Sequence, residues 1–138
     1  MRRPISLLGA IVLAATACNG TKLHEARTLT AALEQFSLAT PSDRGRALAG
    51  LESVTVTDTH VAKAKAQCVA YARKLHEALT LKDEVAVRFA DIRTGLIDKN
   101  DPIAITLPTK LDRAEASLKE ASAIHSQCRR LLTESSAP

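Results

Sequence analysis

The side chains able to do chemistry in this chain are three cysteines and four histidines, and their spacing limits what they can support. No two of Cys18, Cys68 and Cys128 form the C-x-x-C pair of redox or zinc sites. The histidines are His24, His60, His76 and His125. No two of them are four residues apart, so no helical face presents the paired imidazoles of a metal site. We therefore expect no metal ion and no cofactor.

Nucleophilic and acidic chemistry is also poorly supported. A reactive Cys68 would need a neighbour that stabilises its thiolate, and His76 is eight residues away, about two helical turns. The acidic segment at residues 98–101 lacks the glycine and terminal glutamate of a calcium loop. No phosphate-binding glycine loop and no G-x-S-x-G motif is present. The sequence thus predicts a protein that is not an enzyme and has no small-molecule substrate.

Composition excludes further classes. The 138 residues suffice for one domain, and the net charge is +4. There is no run of five like charges and only 2% of residues are aromatic, so neither a basic footprint nor a base-stacking platform for nucleic acid exists. Removing Arg2 and Arg3 with a cleaved leader would lower the charge to about +2. We expect no nucleic-acid partner.

The first 17 residues differ from the rest of the chain. Arg2 and Arg3 precede an apolar stretch at residues 5–17, which is shorter than the roughly 20 residues needed to span a bilayer. Small residues at positions 14–17 lead directly to Cys18. A basic start, a short apolar centre and a small-residue exit predict a secretory signal peptide.

The run Leu13-Ala14-Ala15-Thr16-Ala17-Cys18 resembles the lipobox of bacterial lipoprotein precursors. The resemblance covers residues 1–18 only, and Ala15 departs from the commoner Leu or Val. It implies cleavage before Cys18 and lipidation of that cysteine. Because Asn19 stands where aspartate would retain the protein at the inner membrane, it also implies an outer-membrane location facing the periplasm. The open alternative is an ordinary Ala-x-Ala cleavage site that leaves Cys18 as a free thiol.

The cysteine count agrees with this resemblance. If Cys18 carries lipid, Cys68 and Cys128 remain as a pair, and an oxidising compartment favours a disulfide between them. An odd cysteine in an exported protein would otherwise need another explanation.

The body of the chain carries helical periodicity. Apolar residues recur every three to four positions, and no comparable stretch alternates like a strand. We predict helices over residues 21–38, 41–52, 59–93 and 109–133, a connector at 53–57 and a loop at 96–108. Thr109 with Asp112 resembles a capping box, Gly95 is a stop signal, and Phe89 continues the apolar stripe of the third helix.

The two long helices predict an antiparallel hairpin. If Cys68 lies opposite Cys128, paired residue numbers sum to about 196, and the midpoint falls inside the predicted loop. This register places His125 near Tyr71. The predicted fold is therefore all-α, an antiparallel helical hairpin stapled by a disulfide and covered by an N-terminal helix in a three- to four-helix bundle.

These elements define a domain plan and two functional hypotheses. The plan is a signal peptide at 1–17, a lipidated tether at 18–22, a helical bundle at 23–134 and a disordered tail at 135–138. The first hypothesis is a non-catalytic binding or assembly module that holds a protein partner at the outer membrane. The alternative is a periplasmic inhibitor or immunity protein that blocks a hydrolase or toxin with the acidic loop carrying Asp98 and Asp101.

Overall fold

The structure, a computed structural model, describes the backbone of residues 12–137 and the side chains of residues 20–137. Four helices make up this part of the chain, and it contains no strand. They are α1 (Val12–Leu38), α2 (Arg44–Ser53), α3 (Thr59–Arg93) and α4 (Pro102–Ser136). The all-α prediction is confirmed.

Helix α3 begins and ends where its sequence signals predict. The side chain of Asp58 accepts hydrogen bonds from the backbone N–H groups of His60 and Val61, at 2.8 and 3.0 Å. These bonds satisfy two of the donors that a helix start leaves unpaired, and they lower the pKa of the Asp58 carboxyl. Gly95, two residues past the helix, has a φ of 77°, a conformation that glycine adopts without a steric penalty.

Helices α3 and α4 form the predicted antiparallel hairpin. The sulfur atoms of Cys68 and Cys128 are 2.09 Å apart, the distance of a disulfide bond. Tyr71 stacks on His125 with ring centroids 4.5 Å apart, as the register predicts. Further along, Lys74 Nζ lies 2.8 Å from Glu120 Oε2. The disulfide, the ring contact and the ion pair all place the two helices in the register expected from the cysteines.

Helices α1 and α2 cover the part of the hairpin that contains the disulfide, and the start of α2 reaches along α3 as far as Asp83. Leu29 of α1 and Leu51 of α2 are fully buried there, as are both cysteines. The buried apolar residues of this covered half form one cluster: Ala26, Leu29, Leu33, Phe36, Leu51, Val61, Ala64, Cys68, Val69, Ala72, Cys128 and Leu132. The prediction of an N-terminal helix that covers the hairpin is confirmed.

Glu25 ties α1 to the start of α3. Its carboxylate accepts hydrogen bonds from the backbone N–H and hydroxyl of Thr57, at 2.9 and 2.6 Å, and from the N–H of Asp58 at 3.0 Å. The Thr57 hydroxyl is the main reason that the pKa of Glu25 is lowered. A buried carboxylate is tolerated in this packed position because its oxygens are satisfied by three donors.

The predicted start of α4 is wrong. The sequence predicts a loop to Pro108 and a capping box from Thr109 to Asp112, whereas α4 begins at Pro102 and contains Pro108. The side chain of Asp101 accepts from the N–H of Ile103 at 2.8 Å, and Pro102 occupies the first turn, where it needs no hydrogen-bond partner. This Asp-Pro start takes precedence, and α4 continues through the interior proline.

Three smaller expectations also differ from the structure. The predicted core residue Phe89 is 54% exposed, because neither α1 nor α2 reaches that end of α3. Ser135 and Ser136, predicted as disordered tail, belong to α4, and Ser135 is buried. The Thr40 hydroxyl donates to Asp43 Oδ2 at 2.7 Å, and α2 starts at Arg44 after this turn instead of at Pro41.

Candidate functional site

The end of the hairpin far from the disulfide exposes large apolar side chains. We call residues 86–107, which comprise the end of α3, the connecting loop and the start of α4, the hairpin tip. Six large apolar side chains are exposed among residues 20–137, and five of them lie in the hairpin tip. They are Val87, Phe89, Leu96, Ile103 and Ile105. Leu96 is 78% exposed and Ile105 67% exposed, so the tip has an apolar surface that no other described element covers.

These apolar groups do not share one face. Val87 and Phe89 are two residues apart on α3, which separates them by about 200° around the helix axis. Ile103 and Ile105 are separated in the same way on α4. A flat partner covers one side of a helix only, so a partner that buries all of them must surround the tip.

The charges of the tip are balanced. Between Val87 and Ile105 the sequence carries three basic and three acidic residues: Arg88, Asp91, Arg93, Asp98, Lys99 and Asp101. Arg88 pairs with Asp91 at 3.4 Å. Charged side chains are costly to bury in hydrocarbon, and a neutral patch has no net attraction to an anionic lipid surface. A surface with an apolar socket and a polar rim would complement this combination of exposed apolar groups and balanced charges.

The opposite end of the bundle is where the N-terminal part of α1 emerges. Glu25 contacts the start of α3, and Arg44, shortly after α1, contacts Asp83 at 3.3 Å, so α1 runs alongside α3 toward the tip. Cys18 precedes Glu25 by seven residues on the same helix, about 10 Å farther from the tip. Helix α3 itself is about 50 Å long. The predicted lipidation site and the hairpin tip thus lie at opposite ends of the part of the chain that the structure describes.

The leader lies mostly outside the described residues. Residues 1–11 are among those outside, and so is the side chain of Cys18, although its backbone belongs to α1. Helix α1 continues without a break through residues 18–22, the predicted tether. The signal peptide and the lipidation of Cys18 stay predictions.

The disulfide and two of the four histidines pack among the helices, whereas His24 and His60 are exposed. Both cysteines of the disulfide are fully buried, which keeps their sulfur atoms from a substrate. His125 stacks on Tyr71, and burial raises the pKa of the Tyr71 hydroxyl. His76 Nδ1 is buried without a hydrogen-bond partner. Within the part of the chain that the structure describes, no three His, Cys, Asp or Glu side chains are grouped so that they could hold a metal ion.

A second concave feature lies between α1 and the C-terminal half of α4. This α1–α4 cleft has a volume of about 580 Å³, within the range of ligand sites. Leu33 and Leu132, each 8% exposed, line its apolar part, while Glu34 of α1 and Arg129 of α4 line its polar part.

Sequence reasoning identifies the loop of the tip only through its acidic residues Asp98 and Asp101, and it misses the apolar surface of the tip and the cleft. The apolar stripe of α3 assigns Phe89 to the core, and the predicted loop at 96–108 takes in Ile103 and Ile105. The available signal is the pair of apolar residues at i and i+2 in both Val87–Phe89 and Ile103–Ile105, which a one-sided helix does not need. No comparable signal marks the cleft, because packing between two distant helices creates it.

Comparisons with known proteins supply no family. No protein-family model, curated protein or solved structure matches this chain. Among the described helices, none combines the length and apolar character required to cross a bilayer.

Proposed function

We propose that this protein is an exported lipoprotein that acts as a non-catalytic helical assembly module, anchored through Cys18 in the outer membrane and facing the periplasm. The observation that carries the proposal is the two-ended layout. The helix that leads from Cys18 emerges at one end of the bundle, and the exposed apolar tip lies at the other. A rigid hairpin of about 50 Å would hold a protein partner at a fixed distance from the membrane.

The anchor is supported by the leader and by simple physical chemistry. One acyl chain gives only marginal membrane binding, whereas the three chains implied by the lipobox resemblance give stable anchoring. Pairing of Cys68 with Cys128 leaves Cys18 as the only cysteine of the chain outside that disulfide. The short distance along α1 from Cys18 to the bundle would keep the covered half close to the membrane surface.

The tip supports a docking role over the inhibitor alternative. The inhibitor hypothesis needs acidic side chains that project from a long loop. Asp98 instead accepts from the N–H of Asn100 at 2.7 Å, and Asp101 caps α4, so both carboxylates already serve local structure. The exposed apolar groups have no such local role.

Site-specific photocrosslinking in cells tests the docking role. A photoreactive residue at Ile105, in the tip, should capture one defined protein, whereas the same residue at exposed Gln127, in the covered half, should not. The variant Ile105→Ser should weaken capture from a photoreactive residue at Leu96 without changing the amount of folded protein. Equal capture at both positions, or no protein captured at the tip, would overturn the docking role.

Metabolic labelling tests the anchor separately. Palmitate should label the wild-type protein and not the Cys18→Ser variant, and the variant should leave the membrane fraction. The matched control is Ser42→Ala, an exposed change far from the leader. Persistent labelling of the Cys18→Ser variant would show that the lipobox resemblance is misleading.

A further inference from the structure

The α1–α4 cleft has opposite charges on its two walls. Glu34 lies on the α1 wall and Arg129 on the α4 wall of the same cavity. The ion pairs found between described residues are formed by other side chains, and both of these are exposed to solvent within the cleft. One wall thus offers an unpaired carboxylate and the other an unpaired guanidinium.

The hydroxyl groups of the cleft favour a ligand that donates hydrogen bonds. Four hydroxyl groups line the cleft, those of Thr30, Ser37, Thr133 and Ser136. Each donates its proton to a backbone carbonyl one turn earlier in its own helix. With those protons committed, the hydroxyl oxygens keep lone pairs that can only accept. The cleft is therefore rich in acceptors, and the guanidinium of Arg129 is its strongest donor.

The apolar part of the cleft lies between these polar groups. Leu33 and Leu132 come from the two walls and are both nearly buried, so they form a floor that is already packed against the core. A ligand that contacts this floor must itself carry an apolar group. A bare inorganic ion of either sign would leave that floor and one of the two charges without a contact.

We infer that the α1–α4 cleft binds a short peptide with free termini. The terminal ammonium pairs with Glu34 and with hydroxyl oxygens, the terminal carboxylate pairs with Arg129, and a small apolar side chain packs on Leu33 and Leu132. The peptide N–H groups match the acceptors that the four hydroxyls leave open. This site is separate from the hairpin tip and does not depend on the proposed docking function.

Titration of the purified protein with trialanine tests this inference. The probe has both termini free and three methyl side chains, and binding is followed by chemical-shift changes of the α1 and α4 amides. N-acetylated and C-amidated trialanine remove one charge each. We expect each capped peptide to bind about tenfold more weakly, the size of one charge-assisted hydrogen bond.

Variants identify the partner of each terminus. Glu34→Gln should weaken the binding of free trialanine about as much as N-acetylation does. It should not further weaken the binding of the acetylated peptide. Arg129→Gln should behave in the same way toward C-amidation. Glu115→Gln and Lys119→Gln, exposed changes on α4 outside the cleft, are the matched controls and should bind trialanine normally.

Three outcomes would overturn the inference. The first is the absence of shifts in the cleft at millimolar trialanine, which includes the case in which Glu34 and Arg129 close the cleft by pairing with each other. The second is equal binding of free and capped peptides. The third is a loss of binding in the control variants equal to that in the cleft variants. A tip variant such as Ile105→Ser should leave trialanine binding unchanged, which separates this result from the docking test.

Discussion

The two halves of the hairpin consist of the same two helices and differ in what covers them. In the covered half, α1 and α2 complete a core in which Leu29, Leu51 and both bonded cysteines are fully buried. In the tip, no other described element packs on the two helices, and Phe89 and Ile105 are more than half exposed. The difference shows that the covered half holds most of the buried core, whereas the tip leaves apolar surface exposed, which is the surface that the proposed docking role would use.

Close packing between α3 and α4 explains why the part of the hairpin that α1 and α2 do not cover stays folded. Alanines at 78, 114 and 121 are fully buried between the two helices, so the two backbones can approach closely. Ion pairs such as Arg113 with Glu77, at 2.7 Å, line the exposed edge of this contact. Each exposed pair contributes about 0–1 kcal/mol, so close packing and the disulfide stabilise the hairpin more than these pairs do.

The largest expected effect comes from removing the disulfide of the covered half. The double variant Cys68→Ser/Cys128→Ser should lose about 4 kcal/mol of unfolding free energy, because the bond closes a 60-residue separation in the unfolded chain. Urea denaturation of the oxidised protein and the double variant measures this. A loss below about 1 kcal/mol would mean that the stability of the covered half does not depend on its disulfide.

The next largest effect is expected when a buried apolar side chain is truncated, and truncation of an exposed one gives the comparison. Leu29→Ala should cost about 2–5 kcal/mol, because it leaves a cavity in the covered half. Ile105→Ala, at the tip, should change stability by less than about 0.5 kcal/mol. Chemical denaturation of both variants gives the two values, and similar losses would contradict the division of the hairpin into a stabilising half and an exposed tip.

Glu25 makes the stability of the covered half depend on pH. Its pKa is lowered in the folded protein from an ordinary value of 4.5, so its contribution is fully present above that value. The contribution is lost as the pH falls through the lowered folded pKa, because protonation removes an acceptor for the Thr57 and Asp58 donors. Glu25→Gln should therefore be less stable than wild type at pH 7.

The difference in unfolding free energy between the wild type and the Glu25→Gln variant should narrow steadily below pH 4.5. Urea midpoints measured from pH 7 to pH 3 show this. Glu34→Gln, an exposed change on the same helix, is the control and should give the wild-type profile. A difference that stays constant down to pH 3 would show that the Glu25 carboxylate does not have this role.

The smallest effect is expected at the proline inside α4. Pro108 has no N–H to donate to the carbonyl of Ala104, so Pro108→Ala restores one helical hydrogen bond near the tip. We expect a gain of about 1 kcal/mol, less than the full helix penalty of proline because the variant also makes the unfolded chain more flexible. Amide hydrogen exchange should slow in residues 103–107 and stay unchanged in the covered half.

Much of the fold could be predicted because the helix ends have local signals and the two cysteines fix the register of the hairpin. The cap at Asp58 and the stop at Gly95 mark the ends of α3, and the cysteine numbers fix the register that brings Tyr71 to His125. The start of α4 could not be predicted in the same way, because Pro108 resembles a helix boundary while the real start depends on Asp101 and Pro102.

The candidate sites could not be predicted to the same degree. Whether Phe89 is buried depends on how far α1 and α2 reach along the hairpin, and helix lengths alone do not specify this. The cleft depends on the position of Glu34 relative to Arg129, which are far apart in the sequence and joined by no motif. Helix caps and turns depend on residues that are close in the sequence, whereas concave surfaces depend on how distant residues pack.

The three hydrogen bonds of Glu25 also bear on how the protein responds to mechanical load. Tension applied through residue 18 would travel along α1 and reach Glu25 before it reaches Leu29. The donors at Thr57 and Asp58 belong to the start of α3, so this load passes into the long helix of the hairpin instead of peeling α1 away from its first turn. Under a pull through residue 18, the hydrogen bonds of Glu25 should therefore bear load before the hydrophobic core unfolds.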